Sequence, residues 1–430
     1  MDGSTMTDLD LTLSLLRQLR PSDVETTMLP AACYTSDAFF EWERREVLAR
    51  QWHCVGRAEE IPETGDCLGT EIAGEPVVVA RGRDGQIRAL SRVCQHRGQV
   101  IPCAPKQSCK GFICPLHQWS YGLDGQLVGA PRMGDRNVVL LLRESVRLPS
   151  LPIMLWHGFI FVSLDTNVPP PALEKVEPFW DGYDEPHMKA VPPVVSDQTL
   201  PWNWKTHVEN FTDAYHPEFV HRGTHDFAPS VLGDGGVRFT EMAPGDAAIL
   251  RSVPLLAPDG GMMRDGWGPE AMFPAIPTLS DWQRGHLTFV MIPPSMTLIF
   301  APGVIAYALI RPTGAATTLA ANDRVTGGGW ILPKTTLSLP DFAERAAQVR
   351  EGGAKIWAQD VPVNLAMQAG KSSRFLPAGI YGPLERTLQQ FNQWLLQAYH
   401  KALGISLGGD GCRPVEAASS PAPGTRLARL

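Results

Sequence analysis

The chain has 430 residues, 44% of them hydrophobic and 19% charged, which suits two or three domains and excludes disorder over most of its length. With 38 basic against 45 acidic side chains the formal net charge is −7, so no broad basic field exists and neither nucleic acid nor anionic membrane is an expected partner. Forty glycines and 38 prolines favour turns, short strands and loop-built sites over long helical bundles.

The amino-terminal segment carries Asp2, Asp8 and Asp10 and has no basic stretch ahead of an apolar run, so a secretory signal is not expected. Leu9, Leu13 and Leu16 predict a short docking helix over 8–19, and residues 39–48 read as a second, charged helix. Residues 1–39 are therefore taken as a helical lead-in. From about Trp52 short apolar runs alternate with turn signals, notably Asp84-Gly85 and Asp124-Gly125. Two hairpin signals so close together predict a small all-β domain over 40–165, closed by an aromatic strand at 157–162.

Pro169-Pro170-Pro171 marks a boundary, after which 166–406 mixes strands with helices predicted at 201–215, 341–368 and 383–402. The charge-free stretch 287–310 is interrupted by Pro293, Pro294, Pro302 and Gly303 and reads as buried strands, not a membrane span. Residues 407–430 are rich in Gly, Ser, Pro and Ala and read as a disordered tail. A cytoplasmic location is the expectation.

Eight cysteines stand at 33, 54, 67, 94, 103, 109, 114 and 412, and the crowding between 94 and 114 suggests a metal or redox site, not a disulfide scaffold. Cys94-Gln95-His96 and Cys114-Pro115-Leu116-His117 each place one thiolate and one imidazole on a tight loop. Zinc knuckles favour paired cysteines, whereas alternating pairs suit a two-iron cluster with thiolates on one iron and imidazoles on the other. Neutral imidazoles raise such a cluster to roughly −150 to +300 mV, the range of an electron relay. A zinc ribbon is the competing reading.

A second constellation is Asp213-Ala214-Tyr215-His216-Pro217-Glu218-Phe219-Val220-His221. On a helix Asp213 and His216 share a face, and Pro217 would end the helix and let His221 return to the same point. Two imidazoles and a carboxylate on one face of a metal select non-haem Fe(II). Ordinary polar residues at a helix end are the alternative, since His207 and His225 lie close by.

The run Cys94-Gln95-His96-Arg97-Gly98, with Cys114 to Gly122 and the Asp124-Gly125 turn, resembles the Rieske proteins. The Arg after the first His and the His-x-Trp-x-Tyr pattern are similar to the oxygenase branch. From about residue 38 to 400 the chain resembles the catalytic (alpha) subunit of Rieske non-haem iron oxygenases, the ring-hydroxylating group and its monooxygenase relatives. The resemblance implies an α+β fold, in which a small all-β Rieske domain precedes a larger catalytic domain with an antiparallel sheet and helices, of helix-grip type. It implies a [2Fe–2S] cluster on Cys94, His96, Cys114 and His117, and a mononuclear iron on His216, His221 and a distant Asp. Asp360, ahead of Gln368-Ala369-Gly370, fits that last position best, with Asp341 and Glu351 as competitors. Asp213 would bridge an iron-ligating His to His117 of a neighbouring subunit. Cys103 and Cys109 do not match the extra cysteines of respiratory Rieske domains and read as free thiols. Cys33, Cys54, Cys67 and Cys412 read as small buried or incidental residues.

The activity so implied is that of a terminal oxygenase. It would use O2 and electrons from an NAD(P)H-dependent reductase, with or without a ferredoxin, as a homotrimer with or without a β subunit. No Gly-x-Gly-x-x-Gly fingerprint is present, which fits a nicotinamide site on another protein. The Asp-Ala-Tyr-His run favours an aromatic substrate, because relatives acting on choline, betaine or carnitine often carry Glu-Cys-Tyr-His. The carboxy-terminal helix instead resembles enzymes that include quaternary-amine oxygenases, so a methylated amine is the alternative. Pocket candidates are Phe211, Phe219, Phe289 and Phe300. A cationic cage would draw on Trp202, Trp204, Trp267, Trp282 or Tyr307, and an anionic substrate on Arg222, Arg264 or Arg311. A non-catalytic Rieske electron carrier would require a missing iron ligand.

Overall fold

A computed structural model of the chain describes residues 6–191, 198–233, 235–243, 245–257, 272–320 and 329–405. Trp267, Arg264 and the segment 407–430 lie outside these.

In the first half, alternating apolar residues build a five-stranded antiparallel sheet in the order Gln107–Ser108, Asp66–Ile72, Glu75–Arg81, Ile87–Ser91 and Ser150–Leu151. A three-stranded sheet of Phe112–Ile113, Ser120–Tyr121 and Leu127–Gly129 stands beside it, and Trp52–Arg57 pairs with Phe159–Ser163 in a third. Both predicted hairpin turns form, and by the same chemistry. In each, an Asp carboxylate accepts the N–H two residues on and the following Gly takes the left-handed conformation, at φ 77° for Gly85 and 83° for Gly125. The predicted closing strand begins two residues late, because His157 and Gly158 form a turn at positive φ. A helix at Arg136–Ser145, capped by Asp135, was not evident in the sequence.

The second half is organised on an antiparallel sheet. Its path runs Met188–Val191, Gly329–Pro333, Val304–Gly314, Met296–Ala301, His286–Ile292, Ile249–Pro254 and Arg238–Thr240. The charge-free stretch thus becomes three consecutive strands, as predicted, and no helix among the described residues is long and apolar enough to cross a membrane. One face of the sheet packs on the first half through Val290, Ile292, Leu298, Phe300 and Tyr307, against Trp52, Phe159 and Phe161. The other carries helices at Trp204–Thr212, Phe342–Lys371 and Arg386–Ala402. The α+β organisation expected from the sequence is the one observed.

The amino-terminal helices, Asp8–Gln18 and Asp37–Glu46, join the carboxy-terminal helix in one core containing Leu16, Phe39, Trp204, Phe391 and Tyr399. That core encloses charge. Glu43 and Lys205 are both fully buried, with Nζ 2.8 Å from each carboxylate oxygen, and Trp204 and Tyr399 also donate to Glu43. A second pair, Lys371 and Glu209, lies 2.6 Å apart with Tyr34 donating to Glu209. Removing one partner strands a charge in a medium that cannot solvate it. Glu43→Ala is therefore expected to cost about 3–5 kcal/mol, read as a lowered urea midpoint; an unchanged midpoint would contradict this account of the core.

Candidate active site

The two Cys-His loops are built alike. Cys94 N–H donates to Gln99 and Gly98 N–H returns to the Cys94 carbonyl; Cys114 N–H donates to Trp119 and Gln118 N–H returns to Cys114. The fourth residue after each cysteine is left-handed, at φ 76° for Gly98 and 58° for Gln118. Both cysteines are buried, while His117 is exposed at the tip. His96 Nδ1 and His117 Nδ1 face each other at 3.1 Å. At that separation both nitrogens could reach one metal ion. Trp119 stacks on His96 at 4.6 Å, and the Tyr121 hydroxyl lies 3.3 Å from Cys94 Sγ while accepting from Gln95 N–H. Two buried sulfurs and two converging imidazoles fit a cluster with chemically distinct irons.

The second site differs locally from the expected helix. Asn203 caps a helix that ends at Thr212, three residues short of the prediction, because Asp213 turns the chain. Its carboxylate accepts from Tyr215 N–H at 2.7 Å, from His216 N–H at 3.3 Å and from His216 Nδ1 at 3.0 Å. Asp213 and His216 therefore meet through a side-chain turn and not through helical periodicity. A new turn, Pro217–Val220, starts on Pro217 and delivers His221.

His216, His221 and Asp360 place one donor atom each within 4.8 Å of one another. The Nε2 atoms are 3.3 Å apart, and Asp360 Oδ1 lies 3.1 Å from His221 Nε2 and 3.7 Å from His216 Nε2. Asp360 comes from the long helix Phe342–Lys371, whose Asp360, Asn364, Gln368 and Lys371 form a buried polar stripe at helical spacing. The competitors are elsewhere. Asp341 pairs with Arg345, and Glu351 is exposed beside Lys355.

Each imidazole is held from behind. His216 Nδ1 donates to Asp213, and His221 Nδ1 donates to the side-chain Oε1 of Gln359 at 3.0 Å, which also accepts from the Thr224 hydroxyl. Protonation at Nδ1 leaves both Nε2 lone pairs aimed at the shared point. Asn210 donates to Asp360 Oδ1 at 3.2 Å. Burial opposes a charge on His221, yet Asp360 and Gln359 outweigh it and hold its pKa above the usual histidine value. Two imidazoles and one carboxylate with open positions fit Fe(II).

Within electrostatic reach of Asp213 and His225 lies a residue that sequence reasoning missed. Arg251, on the strand Ile249–Pro254, is 4% exposed; its guanidinium carbon sits 4.0 Å over the Phe289 ring and Nη2 makes a long 3.4 Å contact to the Phe211 carbonyl. Among the described residues its buried Nε has no hydrogen-bond partner, and neither does Nδ1 of the neighbouring His225. Burial draws Arg251 down to about 10 against the opposing charge of Asp213, so it remains a cation at neutral pH. Burial and nearby cationic groups take His225 down to about 3, leaving it neutral.

Of the pocket candidates, Phe211 and Phe289 lie together at 5.8 Å near this site. Phe219 is exposed, and Phe300 packs on the opposite sheet face with Trp180 and Tyr183. Among the described residues the cage candidates do not converge. Trp202 lies tilted against Trp357, Trp204 belongs to the helical core, Trp282 stacks on His286 and Tyr307 packs on Phe159. Arg222 is exposed and Arg311 donates to Thr70.

Comparison with known proteins agrees with this geometry. Residues 180–401, just over half the chain, match the family model described as ring hydroxylating alpha subunit (catalytic domain). The chain belongs to that family. Residues 51–152 match the Rieske [2Fe-2S] domain, so a Rieske cluster and a mononuclear iron are the cofactors of this alpha subunit. It is 32% identical over 210 residues to the carnitine monooxygenase oxygenase subunit of Escherichia coli (strain K12), covering 47% of this chain and 54% of that protein. It is 32% identical over 221 residues to the glycine betaine monooxygenase oxygenase subunit of Pseudomonas aeruginosa (strain UCBPP-PA14), covering 49% and 50%. The chain thus spans about half the length of the curated relatives it matches. A solved structure of naphthalene 1,2-dioxygenase from Rhodococcus sp. superposes with a TM-score of 0.70 over 92% of this chain and 98% of that one. At 19% identity this is a likeness of fold.

Proposed function

We propose that this alpha subunit is the terminal oxygenase of a multicomponent system, and that it oxidises a methylated or quaternary amine bearing a carboxylate. The overall reaction inserts one oxygen atom of O2 into a C–H bond next to nitrogen and releases the other as water, consuming two electrons and two protons. The observation that carries the oxygenase reading is the convergence of His216, His221 and Asp360 in a chain that also holds the two Cys-His loops. The bound metals supply O2 activation and one-electron transfer. The chain's own part is positioning. Asp213 and Gln359 fix the two imidazoles by their Nδ1 protons, and Asn210 steadies Asp360.

Electrons would come from an NAD(P)H-dependent reductase, directly or through a ferredoxin. Within the chain, the Asp213 carboxylate holds its own turn but keeps part of its surface accessible, and His117 stands exposed beside the half-exposed Leu116. This supports an assembly, in our reading a homotrimer, in which His117 of one subunit meets Asp213 of the next.

The amine reading replaces the aromatic preference drawn from the Asp-Ala-Tyr-His run. Carnitine and glycine betaine, after which both relatives are named, are trimethylammonium carboxylates. Arg251 supports the carboxylate half: it is a buried cation within the electrostatic reach of Asp213 and His225, and its Nε has no hydrogen-bond partner among the described residues. Arg251→Gln is expected to lower kcat/KM for carboxylated amines about 10- to 100-fold, mostly through KM, the worth of a charged hydrogen bond. Turnover of a carboxylate-free analogue such as choline should change little; equal losses on both would contradict the assignment. The function itself is tested by single turnover. Chemically reduced protein is mixed with O2 and glycine betaine, carnitine, choline or an aromatic acid. Product from the carboxylated amines is expected, and product from the aromatic acid alone would overturn the amine reading.

A further inference from the structure

Three cysteines outside the cluster converge in the Rieske domain. Cys67, on the strand Asp66–Ile72, is fully buried, and its Sγ lies 3.9 Å from Cys103 Sγ and 3.9 Å from Cys109 Sγ. The backbone is cut to allow this. Gly69 stands two residues after Cys67 on the same face of the strand, and Gly65, at φ 92°, immediately precedes the strand. A Cβ on Gly65 would sit 2.4 Å from the Cys109 carbonyl oxygen, and one on Gly69 would sit 2.8 Å from that of Cys103. Hydrogen bonds lock the approach, from Cys109 N–H to Gly65 and from Gly69 N–H to Ala104. Only glycine at both flanks lets two further cysteines close on the central one. The outer two thiols are partly exposed, so the trio has a solvent-facing side and a buried side.

We propose that Cys67, Cys103 and Cys109 form a thiol-disulfide exchange site, in which Cys103 reacts with a small-molecule disulfide and Cys67 completes an internal Cys67–Cys103 disulfide. In the first step the Cys103 thiolate attacks one sulfur of the disulfide; a mixed disulfide forms and one small thiolate leaves, taking up the proton Cys103 gave up. In the second, Cys67 sulfur attacks the Cys103 sulfur, its proton passing to the second departing thiolate. Two protein thiols are oxidised and one external disulfide is reduced to two thiols. The contact needs about 2 Å of closure to reach an S–S bond, within reach of side-chain rotation. The direction of attack follows from the surroundings. The S–H of Cys67, and after it the charge of Arg92, hold the Cys103 thiol below its ordinary value against burial. Cys67 itself is pushed well up. A thiolate that is both accessible and stabilised is the attacking sulfur in such exchange. Cys109, equally near Cys67, is an alternative partner by which the bond could shift.

The site adjoins the cluster. Cys67 shares one apolar core with Cys94 and Cys114, and Cys103 follows the loop that carries Cys94 and His96. Closing the bond would therefore tether that loop to the sheet.

The test uses the full-length holoprotein. It is incubated with oxidised glutathione at graded ratios to reduced glutathione, then alkylated and mapped by mass spectrometry while cluster absorbance is followed. Expected is a Cys67–Cys103 linked peptide at oxidising ratios, reversed by reduced glutathione, with absorbance unchanged. In Cys67→Ser the reaction should stop at the glutathione adduct on Cys103, and in Cys109→Ser the link should still form. Full alkylation of all three cysteines at every ratio would overturn the proposal. So would a stable Cys103 adduct in the native protein, or oxidation only of Cys94 and Cys114 with cluster loss.

Discussion

Asp360→Ala is expected to remove the mononuclear iron and abolish turnover while leaving the Rieske cluster in place. Asp360 contributes the one anionic donor of the trio, 3.1 Å from His221 Nε2, and Asn210 and the polar stripe of its helix hold it there. Without it, two neutral imidazoles remain, a set that binds Fe(II) weakly. Iron should fall from about three to about two atoms per chain, and activity by about 10³-fold or more, because the metal supplies several kcal/mol of the chemistry. Acid-labile sulfide should be unchanged. Glu351→Ala, on the same helix but exposed beside Lys355, should keep its iron. Full iron in Asp360→Ala would refute the assignment.

Asp213→Ala separates positioning from ligation. Asp213 is not in the proposed iron-binding trio, yet its carboxylate accepts from His216 Nδ1 at 3.0 Å and shapes the turn that delivers the ring. Loss of such an outer partner costs about 10- to 100-fold in activity, and loss of an inter-subunit electron route would add to it. Turnover should therefore fall by about 100-fold or more with both metal contents close to wild type. The discriminating readout is electron transfer. After chemical reduction, oxidation of the cluster by O2 in the presence of substrate should slow in step with turnover. Normal cluster oxidation with poor turnover would assign Asp213 to ring orientation alone.

Much of this site is legible in the sequence because its chemistry is local. A thiolate and an imidazole two or three residues apart occupy one loop, and Asp213, His216 and His221 fall within nine residues. Asp360 was reached through motif resemblance, since nothing in its spacing alone separates it from Asp341 or Glu351. The structure separates them by burial and partners. What could not be read is non-local. Arg251 sits in Ile-Leu-Arg-Ser-Val-Pro, where a charged residue on a strand would ordinarily face water; only the pairing of Arg251 with Phe289 and the helix above place it inside. Gln359 and Asn210 carry no motif of their own, because holding a ligand needs only a polar atom at the right place. Glu43 and Lys205, 162 residues apart, look like solvated charges until two helices bring them together. The helix ending at Thr212 was misplaced for the opposite reason: an Asp side chain competed locally with helical hydrogen bonds.

A single chain that carries both iron centres has a fixed metal and sulfide content. This is tested most directly by iron and acid-labile sulfide analysis of the protein purified without oxygen, with paramagnetic resonance after reduction. About three irons and two sulfides per chain, with a rhombic iron–sulfur signal, are expected. Zinc without acid-labile sulfide would contradict the account.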